Sequence, residues 1–165
     1  MEKINIDLLL YWARRMGIGV VFTELEPGRL GQANAAKRKI ELSHSLSDNL
    51  IALKCVLAHE IGHILFPPRP GHIRYHSKGP RNRDYGIIKT TVAQDERKAQ
   101  DWAITVLMSD VEFDRIMKKG EMSISEIAEY FEVLPSFVED RIAYYRRKEE
   151  SAGRKVRWRD VIRRG

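Results

Sequence analysis

The stretch from Leu50 to Phe66 reads LIALKCVLAHEIGHILF, and at its centre His59, Glu60 and His63 are spaced H-E-x-x-H. On an α-helix the two histidines lie one above the other on one face, close enough to share a single metal ion, with Glu60 beside them as a base for water. Leu50, Leu53, Leu57, Ile61 and Ile64 recur at three- and four-residue steps, an apolar stripe directed away from the histidines. One face is expected to pack and the other to bind. Ser47 is the expected N-cap. Pro67 and Pro68 end the helix, because proline lacks the N–H donor and pushes the residue before it out of helical geometry.

Histidines at this spacing imply a zinc hydrolase, and a catalytic zinc site generally takes a third protein ligand and leaves the fourth position for water. Downstream, Thr91 with Gln94 reads as a capping box opening a helix whose stripe is Ala99, Ala103, Val106 and Leu107. Glu96 lies on that stripe, one turn before Ala99. A carboxylate on a buried face is costly unless it is paired or bound to metal, which makes Glu96 the leading third ligand. Asp95 and Asp101 fall off the stripe and rank below it. Cys55 sits one turn before His59, but its eight-residue separation from His63 is about 12 Å along a helix, too far for a shared ion. It reads as a small buried apolar residue.

These two helices resemble the ImmA/IrrE family of metallopeptidases, found widely on phages and conjugative elements. The likeness is carried by A-H-E-I-G-H at Ala58 to His63 and by E-R-K-A-Q-D-W-A-I-T-V-L-M from Glu96 to Met108. It implies His59, His63 and Glu96 as zinc ligands, Glu60 as catalytic base, and a zincin-like fold in which an edge strand of the sheet binds the substrate. Family members act on DNA-binding repressors of mobile elements, so the resemblance further implies a zinc-dependent endopeptidase that cleaves a helix-turn-helix repressor. Gln100, Trp102 and Ser109 stand where the family usually has Asn, Phe and Pro; none of the three is a ligand position.

The chain has 165 residues, a net charge of +6 and one cysteine. It is long enough for one domain with a core, has no internal disulfide framework, and lacks a membrane span or secretory layout, so a cytoplasmic protein is expected. Ile4 to Met16 reads as a first amphipathic helix with Ile4, Leu8, Tyr11 and Trp12 on its stripe and Gly17 as its stop. Ile18–Thr23, Leu30–Ala35 and Lys39–Leu42 read as strands, the last two flanking a turn at Lys37 and Arg38. His44 follows them as a turn histidine. The expected fold is α+β: a zincin-like core over residues 1–109 with a small antiparallel sheet packed on the metal helix, a helical portion over 110–147, and a basic tail over 148–165.

Pro67 to Gln94 is rich in Pro, Gly and Arg and longer than an ordinary connection, which suggests a lid or binding loop. His72, His76 and Tyr85 within it are candidates to contact the substrate or transition state. Ser109 with Glu112, closed by Gly120, and Ser123 with Glu126 mark two further helix starts. Residues 124–142 have a helix-turn-helix pattern, yet Glu132 stands where the turn usually has Gly, and Glu139 and Asp140 would repel phosphates. A structural or protein-docking pair is favoured over DNA reading. Residues 146–165 hold nine basic and three acidic residues, a surplus of six that equals the whole chain's net charge, and suit a weak nucleic-acid contact. The rival reading is a non-enzymatic zinc-containing transcriptional regulator or toxin-antitoxin component; its structural zinc would need a fourth protein ligand.

Overall fold

Asn5 opens the first helix, α1 (Ile6–Arg15), by accepting a hydrogen bond from the Leu8 N–H, and Gly17 stops it in the left-handed conformation at φ +69°. Its fully buried residues are Leu9 and Ala13, while Tyr11 is exposed, so the packed face is turned from the expected stripe. Both sets of positions recur at helical spacing. Only the neighbours, the helix over Leu50–Leu65 and the first strand, decide which set is covered.

The structure, a computed structural model, describes residues 3–67, 76–77 and 86–153, with the backbone alone at 76–77 and 86–93. Two compact units are resolved, Ile4–Ala103 and Ile104–Gly165 with Met1–Lys3. The first holds strands β1 (Gly19–Thr23), β2 (Arg29–Asn34) and β3 (Lys39–Ser43). β2 and β3 form a hairpin, with Gly31 opposite Leu42 and Ala33 opposite Ile40, and Arg38 in its turn at φ 47°. β1 takes the other side of β3 and runs parallel to it, Val20 opposite Ile40. The sheet is therefore mixed, where an antiparallel one was expected: the hairpin occupies one edge of β3, and β1 joins the remaining edge in the same direction. A short β4 (His76–Ser77) pairs antiparallel with β2 at Arg29 and Gly31, which makes the order β1-β3-β2-β4.

Packed against β2 is α2 (Leu50–Leu65), which carries the H-E-x-x-H motif. Its N-cap is Asn49, whose side chain accepts from the Ala52 N–H at 2.9 Å, and not Ser47. Leu53, Leu57, Ile61 and Ile64 are buried as expected, each worth about 1.5–3 kcal/mol, but Leu50 is 64% exposed. The histidine face is buried too. Packing and binding are thus not on opposite sides of this helix, because β2 and the next helix, α3 (Gly86–Leu107), both lie against it. Thr91 and Gln94 fall inside α3, so the helix begins a turn and more before the expected capping box.

In the second unit, α4 (Asp110–Lys119), α5 (Ile124–Phe131) and α6 (Pro135–Ser151) follow in order. Ser123 and Glu126 form the reciprocal capping box expected of them. Ser109 is the N-cap residue of α4 but makes no side-chain cap bond, and its expected partner Glu112 instead accepts from Arg115 and from the Tyr130 hydroxyl. Arg141, almost fully buried, donates to the Met108 carbonyl and to Asp110 Oδ1, tying α6 to the start of α4. Lys148 holds the other Asp110 oxygen; with Arg141 it keeps that carboxyl below the usual carboxylate range. The resulting stability is present at neutral pH and lost as pH falls through the lowered value.

Glu132, between α5 and α6, sits in the left-handed region at φ 55°, a conformation that costs a residue with a Cβ about 1–2 kcal/mol. Its ion pair with Lys3, at 3.9 Å and solvent-exposed, returns little. Glu132→Gly is therefore expected to raise the urea midpoint, by about 1 kcal/mol in stability. An unchanged or lower midpoint would show that contacts of the Glu132 side chain outweigh the strain.

Candidate metal centre

Two helices supply the centre, each through a pair of residues four apart. From α2 come His59 and His63, and from α3 come Glu96 and Gln100, all within the unit Ile4–Ala103. The Nε2 atoms of His59 and His63 stand 3.0 Å apart, and each lies 3.4 Å from an oxygen of Glu96. A tetrahedral zinc with ligand bonds of about 2.0–2.1 Å holds neighbouring ligand atoms about 3.3 Å apart. These separations, two of them to different Glu96 oxygens, are close to that edge length, and two imidazole nitrogens with a carboxylate suit a divalent metal. Among the described residues these three form the one cluster able to hold an ion. Burial pushes the His63 imidazole below the ordinary histidine range, against the pull of the Glu96 carboxylate, so its neutral, ligating form prevails at neutral pH.

What lets α3 come so close is Gly62, between Ile61 and His63. A Cβ at Gly62 would stand 2.6 Å from the Ala99 carbonyl oxygen and 2.9 Å from its Cα, so the two backbones touch at that point. Glu96 lies one turn before Ala99 and Gln100 directly after it. The contact thus sets both beside the histidines. Gln100 Oε1 is 2.6 Å from His59 Nδ1, so α3 meets both nitrogens of that ring.

Glu60 is fully buried on the same helix, and its carboxylate faces β2: a Cβ at Gly31 would lie 2.9 Å from Glu60 Oε1. Gly31 therefore lets the sheet approach the residue between the histidines. Asp95 is 4% exposed, against 33% for the Glu96 side chain, so the sequence argument from burial had the two reversed. Asp95, Ala99 and Ala103 form the buried line of α3, and Glu96 and Gln100 line the histidine side. Asp101 is not in the cluster, nor is Cys55, which is fully buried. His72 and Tyr85 lie outside the described residues, as do most of the 67–94 connection and the tail from 154 onward; of His76 only the backbone, in β4, is described. Gly62, Gln100 and Gly31 were not singled out for the site from sequence. The signals were there in a glycine inside a helix and an amide one turn after a candidate ligand.

No helix among the described residues is long and apolar enough to cross a membrane. Comparison with protein families matches residues 13–143 to Peptidase_M78, the IrrE N-terminal-like domain. Comparison with curated proteins finds no match.

Proposed function

Because the chain belongs to the ImmA/IrrE family of metallopeptidases, we propose that it is a zinc-dependent endopeptidase acting on a helix-turn-helix repressor of a phage or other mobile element. The observation that carries this reading is the convergence of His59 Nε2, His63 Nε2 and the Glu96 carboxylate beside a buried Glu60. These three side chains would hold the ion. Zinc, when bound there, supplies a Lewis acid that polarises the scissile carbonyl and acidifies the attacking water. Glu60 takes the proton from that water on its carboxylate and returns it to the leaving amine nitrogen. β2 runs past Glu60 at Gly31 with β3 and β4 on either side, so a peptide segment added as a further strand would pair with an edge of the sheet, β4 or β1.

The proposed substrate fits the charge distribution. A basic segment over residues 146–165 lingers near nucleic acid without reading sequence, which raises the enzyme's concentration beside a DNA-bound target in the cytoplasm. Co-expression with regulators encoded nearby should yield metal-dependent cleavage of one of them, abolished by a chelator. Deleting the residues after Arg147 should slow cleavage of the DNA-bound repressor more than of the free one, and added salt should shrink the difference. Equal slowing would assign the tail to stability or direct substrate contact. Zinc bound without cleavage of any neighbouring regulator would favour the non-enzymatic reading.

A further inference from the structure

His59 is clamped at both ring nitrogens by one face of α3. Its Nε2 lies 3.4 Å from Glu96 Oε2, and its Nδ1 lies 2.6 Å from Gln100 Oε1, one helical turn further on. An imidazole that donates from one nitrogen keeps its lone pair on the other, so the partner of Nδ1 selects which nitrogen can ligate. The Gln100 carbonyl oxygen can only accept. We propose that Gln100 is a positioning residue of the metal centre: by accepting the Nδ1–H of His59 it fixes the ring's orientation and the tautomer whose Nε2 lone pair faces His63 and Glu96. This rests on the reading of the site as a zinc centre. Such partners of ligating histidines hold the ring in place and raise its basicity, and their removal costs about ten- to a hundredfold in metal affinity.

The role is separable from packing because it depends on an acceptor at that position and not on bulk. Gln100→Leu keeps the volume and loses the acceptor, whereas Gln100→Glu keeps both. Zinc affinity is read by chelator competition on the three full-length proteins, with circular dichroism to verify that each is folded. Gln100→Leu is expected to bind zinc about ten- to a hundredfold more weakly, and Gln100→Glu at wild-type affinity or tighter. A Leu variant within about threefold of wild type, or a Glu variant as weak as the Leu one, overturns the proposal. Nitrogen NMR of the imidazoles in metal-free wild-type protein supplies an arm that needs no variant to fold. His59 protonated at Nδ1 supports the role, and protonation at Nε2 overturns it. A wild-type protein that binds no zinc would instead defeat the zinc reading, and the imidazole spectrum would still report on Gln100.

Discussion

Glu60→Gln is expected to bind zinc at wild-type affinity and to lose about a hundred- to ten-thousandfold in peptide hydrolysis. The amide occupies the volume of the carboxylate, which matters because Glu60 has no exposed surface and Gly31 leaves little room beside it. It cannot accept the proton of the attacking water. The proposed ligand atoms lie elsewhere, on His59, His63 and Glu96, and replacing any of those with Ala should abolish tight zinc binding. Metal analysis beside a cleavage assay separates the two classes of variant. Zinc lost from Glu60→Gln would make Glu60 part of the metal's support, and zinc retained at full affinity in Glu96→Ala would show that Glu96 is not the third ligand.

Gly62→Val should be as damaging to metal binding as removing Glu96 itself, although residue 62 carries no ligand. The new side chain has no space, since even a Cβ meets the Ala99 backbone at 2.6 Å, and backbone cannot move aside as a side-chain tip can. Overpacking of this kind costs about 1–3 kcal/mol in stability. Displacing α3 also carries Glu96 and Gln100 away from His59. Chelator competition together with urea unfolding reads both effects. Gly19→Ala is the control, because a Cβ there meets nothing closer than the Arg38 carbonyl oxygen at 4.0 Å and should leave zinc affinity unchanged. Normal zinc affinity in Gly62→Val would mean that the helices can separate without opening the site.

The metal helix was legible because three constraints coincide in one short stretch: ligand spacing, apolar periodicity and a proline stop. Glu96 was found by an argument only partly right. Periodicity located the helix but could not say which of two adjacent acids, Asp95 or Glu96, would be the deeper, since they differ by one residue and the facing is set by the Gly62–Ala99 contact. The same limit turned the buried face of α1 from Leu8 to Leu9. Strand positions were read within a residue or two, but their order was not: nothing local to β1 states that it joins β3 and runs parallel to it. Caps failed where two polar residues competed for one role. Asn49, next to the helix, displaced Ser47, and Glu112 found Arg115 and Tyr130 in place of the backbone near Ser109.

The crossing of α2 and α3 at Gly62 and Ala99 has an evolutionary consequence. The candidate ligands found among the described residues all ride on two helical faces held by that contact, so their mutual placement is set by the helix crossing. Loop-closure entropy rises only logarithmically with length, and doubling a connection costs about 0.6 kcal/mol. Descendants of this chain can therefore lengthen or shorten the connection between the two helices while His59, His63 and Glu96 stay together, which leaves the connection free to diverge faster than the helix crossing.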